Sequence, residues 1–175
     1  MGYSRRSFLK QSAFMAGGIA AGSLPFLKAC SESGTSPSSM AFGLQLYTLR
    51  DVISDDPEGV IEKVASYGYN QIESYDGPLG IFWGMKNTDF KFFLDNLELS
   101  MISSHVNTSE DFDRKAGELA EIGAKYIISP WVGPQESLDD FRRIADTFNE
   151  FGDKARQYGI RFAYHNHAYS FEKMD

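Results

Sequence analysis

The chain has 175 residues, 42% of them hydrophobic and 14% aromatic, which supplies one globular core and excludes a disordered chain. Residues 1–29 hold four of the seventeen basic residues and none of the acids, so the remainder carries 13 bases against 24 acids, a net charge of −11. A surface this acidic argues against a nucleic-acid partner, because binding a phosphate backbone needs clustered Lys and Arg.

The first stretch, SRRSFLK, puts Arg5 and Arg6 side by side ahead of Phe8 and Leu9. It leads into AFMAGGIAAGSLPFL, a run too Gly-rich and too short for a comfortable membrane span. This start resembles a twin-arginine signal peptide, since Ser4, the arginine pair, Phe8, Leu9 and Lys10 take the places of that motif. The run ends in Leu27, Lys28, Ala29 and Cys30, similar to a lipobox except that Lys28 stands where a small residue is usual. Cys30 is the single cysteine, so it has no partner for an internal disulfide, and its position suits thioether attachment of a lipid. The expected organisation is a signal peptide over 1–29, a lipid-bearing cysteine and flexible Ser/Gly/Pro tether over 30–40, and a folded unit over 41–175. The protein is then exported by the twin-arginine machinery and held by acyl chains on the periplasmic side of a bacterial membrane.

From Phe42 onward strand and helix patterns alternate. FGLQLYTL reads as a strand of period two, followed by a helix with Asp56 as N-cap, Pro57 at its first position and Gly68 as its stop. QIESY is a second strand, TDFKFFLDNLEL a helix capped by Thr88, and SMISSHVN a third strand. DFDRKAGELAEIG, closed by Gly123, is a third helix, and KYIISPWV a fourth strand. Ser137 caps a long helix whose Phe141, Ile144, Ala145, Phe148 and Phe151 form a one-sided stripe. IRFAYHNH is the fifth strand.

Units of roughly thirty residues in this alternation are parallel βα units with right-handed crossovers, either an open doubly wound sheet or a (β/α)8 TIM barrel. No GxGxxG follows the first strand, so a dinucleotide site has no support. Strand parity favours the barrel. One face reads Leu44, Leu46, Ile72, Ile102, Val106, Ile160, Phe162 and Tyr164. The other reads Gln45, Tyr47, Glu73, Tyr75, Ser103, His105, Asn107, His165 and His167, and turns polar toward the C-terminal strand ends, where barrels keep their active sites.

GLQLYTLRD at 43–51, Glu73, SSHV at 103–106 and YHNH at 164–167 together resemble the xylose-isomerase-like TIM barrel family of sugar phosphate isomerases and epimerases. The resemblance implies metal-assisted proton transfer through an enediolate, with Mn, Mg, Co or Zn as the divalent cofactor. An inosose or keto-polyol dehydratase, or a non-catalytic sugar-binding lipoprotein, are the alternatives. Only about five strands and four helices are present, so the chain is expected to be the N-terminal part of a longer barrel and inactive alone. The family's metal ligands lie mostly on later strands; Ser170 stands where relatives carry a glutamate, and Glu172 is the nearest acid.

Glu73 reads as a general base, a hydroxyl acceptor or an ion-paired residue, and His105 as catalytic or as a packed histidine bonded to Ser103 or Ser129. His165 and His167, about 6.5 to 7 Å apart along one strand face, read as substrate contacts or structural histidines, with His167 or Glu172 as candidate metal ligands. Gln45 and Tyr47 are expected in the substrate-binding pocket wall, and Trp131 and Trp83 either stack on a sugar ring or pack. The partner is a small sugar or polyol, and an oligomer is allowed.

Overall fold

The computed structural model describes residues 40–173. The leader with Arg5 and Arg6, the lipid-attachment residue Cys30 and all of the tether but Met40 lie outside the described residues.

Five strands form one parallel sheet in the order β1-β2-β3-β4-β5: Gly43–Gln45, Gln71–Tyr75, Ser100–His105, Tyr126–Ser129 and Arg161–Tyr164. Each is followed by helical structure. A 3-10 turn, Leu46–Leu49, and α1, Pro57–Ser66, follow β1; α2, Asn87–Asn96, follows β2; α3, Phe112–Glu121, follows β3; α4, Leu138–Gln157, follows β4; a second 3-10 turn, Ala168–Phe171, follows β5. Strictly sequential strand order decides the architecture. A doubly wound sheet reverses its order at a switch point, whereas a barrel adds each strand beside the last, so this is a partial (β/α)8 TIM barrel.

Local sequence explains most element ends. Asp56 caps α1 by accepting from Gly59 N at 3.0 Å, with Pro57 at the first helical position, where its missing N–H costs nothing. Ser137 caps α4 by accepting from Asp140 N at 3.2 Å. Gly68 and Gly123 follow their helices at φ 88° and 86°, the left-handed region a side chain disfavours.

Several expected boundaries shift. Thr88 is not a cap: α2 starts one residue earlier behind an uncapped Lys86, and Asn87 instead turns its amide to Glu121 at 2.7 Å. The first strand ends at Gln45, because the 3-10 turn drives Leu46 into the core at 0% exposure. The fourth strand stops before Pro130, which has no N–H to continue a ladder. The fifth stops at Tyr164; His165 N still donates to Ser129 O at 3.0 Å, and the chain then leaves the sheet.

The outer face of the sheet is packed by the helices through Ile61, Val64, Ile72, Phe90, Leu94, Leu119 and Ile127, all buried. A register shift between β2 and β3 at Ile72/Glu73 makes Met101 the outward residue opposite Ile72, in place of the expected Ile102, while Ser103 still faces inward opposite Glu73. The outer face is not wholly apolar either. Ser74 and Ser104 sit on it at 0% exposure, and Ser74 is satisfied by donating to Ile81 O and accepting from Trp83 Nε1. On α4 the stripe holds except for Ala145, which is exposed; Phe148 and Phe151 pack on Phe162, and Phe151 stacks on Phe112 at 4.5 Å.

Candidate active site at the strand C-terminal ends

The C-terminal ends of all five strands open into one cavity of about 590 Å³. Gln45 and Tyr47 line it from β1, Tyr75 and Asp76 from β2, His105 to Thr108 from β3, Ser129 to Trp131 from β4, and His165 and His167 from β5. Tyr47 lies in the 3-10 turn rather than on a strand, yet it reaches the same wall by packing edge-on to Tyr75 at 5.2 Å.

Glu73 sits one layer deeper, behind the lining residues. Its Oε1 accepts from Gln45 Nε2 at 2.7 Å and lies 3.3 Å from His105 Nε2; its Oε2 accepts from Ser103 Oγ at 2.5 Å. The partners expected for a packed His105, Ser103 and Ser129, are thus not its partners; it faces Gln45 and Glu73. The Gln45 amide nitrogen lies 3.1 Å from His105 Nε2 and 3.3 Å from Nδ1, so the Gln45 amide and the Glu73 carboxylate both face the Nε2 side of the ring. Burial holds the His105 imidazole below its ordinary pKa against the raising pull of Glu73, and His165 and His167 push it down further.

All three histidines of the chain form one row, with ring centroids 5.0 Å apart from His105 to His165 and 5.0 Å from His165 to His167. His167 Nε2 meets Pro130 O at 2.9 Å, so it donates to the β4 loop. Trp131 is 56% exposed and packs edge-on to His167 and Tyr169 at 4.7 and 4.8 Å, leaving indole surface open to the cavity. Trp83 cannot stack on a ligand, because it is 3% exposed and held by Tyr75 and Ser74.

His167 and Glu172 are not brought together as metal ligands. The His167 nitrogen is engaged by Pro130, and Glu172 lines a separate depression with Gln135 and Arg142. Among the described residues, no three His, Cys, Asp or Glu side chains converge to hold a metal ion. The resemblance places most ligands of the expected divalent cofactor on strands after the fifth, so the described residues would hold at most one edge of such a site.

Asp76 and Lys115 carry no motif that marks them as site residues, whereas Asn107 belongs to the polar face by strand parity. Asp76 was legible as the residue that immediately follows a strand of this barrel, and Lys115 as a cation inside the apolar stripe of Phe112, Ala116 and Leu119 on α3.

The fold is a partial TIM barrel with a cavity at its strand C-terminal ends, and solved structures that it resembles include sugar phosphate isomerases/epimerases. A sugar phosphate isomerase/epimerase from Parabacteroides distasonis is 24% identical, with a TM-score of 0.67 over 86% of this chain and 58% of that one. A second from the same organism is 29% identical, with a TM-score of 0.66 over 76% of this chain and 57% of that one. A D-psicose 3-epimerase solved in the presence of D-fructose is 17% identical, with a TM-score of 0.52 over 70% of this chain and 51% of that one. The chain spans rather more than half the length of the first two. No family model and no curated protein matches it.

Proposed function

We propose that this chain belongs to the xylose-isomerase-like sugar isomerases and epimerases, and that its cavity takes a small keto sugar or polyol. The observation that carries the reading is the Glu73–His105 pair beneath a cavity at the strand C-terminal ends. The 29% identity to a sugar phosphate isomerase/epimerase of the same fold supports it.

The chemistry follows from the chain's own side chains. A neutral His105, held below its ordinary pKa by burial, accepts the proton from the carbon beside the substrate carbonyl. Glu73, with Oε1 3.3 Å from Nε2, stabilises the imidazolium that forms. The electron pair moves onto the carbonyl oxygen, where His165 is placed to donate. The imidazolium returns its proton to the neighbouring carbon on the same face for isomerisation, whereas epimerisation requires a second group to deliver a proton to the opposite face. Glu73 itself has its oxygens engaged by Gln45, Ser103 and His105, which suits it to orienting rather than to proton abstraction.

The full-length parent protein, incubated in deuterium oxide with D-fructose and D-tagatose and added Mn or Mg, is expected to place deuterium at the carbon beside the carbonyl, and His105→Asn to stop this. Sugar binding with no exchange sinks proton transfer and leaves a non-catalytic sugar-binding protein. Loss of water from the substrate identifies a dehydratase.

The leader reading is part of the same proposal: Arg5 and Arg6 direct export and Cys30 carries the lipid. Cys30→Ser is expected to move the protein from the membrane to the soluble periplasmic fraction, and an unchanged membrane share sinks the anchor.

A further inference from the structure

Lys115 is a charged side chain in a place that favours an apolar one. It lies in the buried stripe of α3 with only 5% of the residue exposed. Its Nζ donates to Asp76 Oδ2 at 2.8 Å and to Asn107 O at 2.9 Å, tying the loop after β2 to the loop after β3. Asn107 N adds a longer contact to the same oxygen at 3.4 Å, and Asp76 N donates to His105 O at 2.8 Å.

A buried ion pair is a poor way to gain stability, because desolvation cancels most of its attraction, but it fixes geometry. What it fixes here is a carboxylate. Oδ2 of Asp76 is committed to Lys115, whereas Oδ1 has no hydrogen-bond partner among the described residues, and Asp76 lines the cavity beside His105. With its charge compensated from behind, Asp76 keeps a second carboxylate oxygen at the boundary between this cavity and the neighbouring depression lined by Arg114 and Lys115, an acceptor suited to a hydroxyl group.

We propose that Asp76 is a substrate-binding residue that accepts a hydrogen bond from a sugar or polyol hydroxyl, and that Lys115 is the positioning residue that holds it. This rests on the reading of the cavity as a sugar site. It adds a specificity determinant on the side of the cavity formed by β2 and β3, opposite Trp131 and His167.

The test is calorimetric titration of the full-length chain with D-fructose and D-tagatose, for the native protein, Asp76→Asn, Lys115→Met, Lys115→Arg and the double variant D76N/K115M. Asp76→Asn and Lys115→Met are each expected to raise Kd about tenfold, as for one charge-assisted hydrogen bond. In the double variant, which leaves no buried charge unpaired, Lys115→Met is expected to add nothing further, and Lys115→Arg to restore much of the affinity. An Asp76→Asn protein that binds as the native does, or independent additive losses in the double variant, overturns the proposal. So does a native protein that binds neither sugar. Failure of the catalytic reading has a different signature: binding that depends on Asp76 without deuterium exchange.

Discussion

Oε1 of Glu73 lies 3.3 Å from Nε2 of His105 while accepting from Gln45 at 2.7 Å, so one carboxylate oxygen orients both the ring and the amide beside it. Two consequences can be measured as a function of pH. Burial keeps the folded His105 from protonating until below the ordinary value near 6.5, where the unfolded chain takes up its proton. Between those two values the unfolded state holds more protons, so this residue lowers stability as the pH falls through the window and has no effect above it. His105→Asn is expected to flatten that part of the stability profile in urea titrations taken between pH 7 and 5.

Activity carries the second consequence. With His105 as the proposed neutral base, the acid limb of kcat/KM is expected below pH 6.5. Glu73 is the group that pulls this pKa upward, so Glu73→Gln should move the limb to lower pH. The same substitution removes the charge that stabilises the imidazolium, so kcat should fall, by less than the roughly 10²- to 10⁴-fold loss expected for His105→Asn. An acid limb that stays in place in Glu73→Gln separates the pair and removes Glu73 from the mechanism.

Trp131 tests the sugar side of the cavity. Its indole is 56% exposed and supported edge-on by His167 and Tyr169, so removing it opens no core cavity. Trp131→Ala is expected to weaken D-fructose binding by about 1 kcal/mol, close to fivefold, with little change in thermal stability, and Trp131→Phe to keep most of the affinity. Equal binding by all three would place the sugar elsewhere.

The sequence made the sheet legible because parallel βα units announce themselves through caps and stops: Asp56, Pro57, Gly68, Gly123 and Ser137 all sit where they were read. Strand parity brought Gln45, His105 and His165 to one cavity for the same reason, since a period of two leaves little freedom once one face is buried, whereas His167 reaches it from beyond the end of β5. The errors fall where tertiary contacts outweigh local pattern. Leu46 ended β1 by turning into the core, and the register shift beside Glu73 exchanged Ile102 for Met101. The depth of Glu73 was not legible, because parity gives a face and not a layer. Nor was the Asp76–Lys115 pair, which joins residues 39 apart and depends on how α3 docks on two loops.

The β4 and β5 loops are joined at His167, whose Nε2 meets Pro130 O at 2.9 Å, and at Val132, whose N–H donates to Tyr169 Oη at 3.2 Å. His167→Ala should release the first link and loosen the second. With about 1 kcal/mol lost from one hydrogen bond, the Val132 amide is expected to exchange with deuterium roughly fivefold faster, while amides in β2 keep their rates. Unchanged exchange at Val132 would mean that Tyr169 holds the loop unaided.

Ser74 gives the sharpest stability prediction, because its hydroxyl serves two buried groups at once. It donates to Ile81 O at 2.8 Å and accepts from Trp83 Nε1 at 3.1 Å, at 0% exposure. Ser74→Ala removes one small hydroxyl but strands a carbonyl and an indole N–H where water does not reach. Each stranded group costs about 1–3 kcal/mol, so the single substitution should lower unfolding free energy by roughly 2–6 kcal/mol. Trp83→Phe in the Ser74→Ala background removes the stranded donor and should recover part of that loss, although the smaller ring fills less space beside Tyr75. The double variant is therefore expected to be more stable than Ser74→Ala alone in urea unfolding. A double variant whose loss is the sum of the two single losses would show that the indole N–H, and hence the loop after β2, does not depend on Ser74.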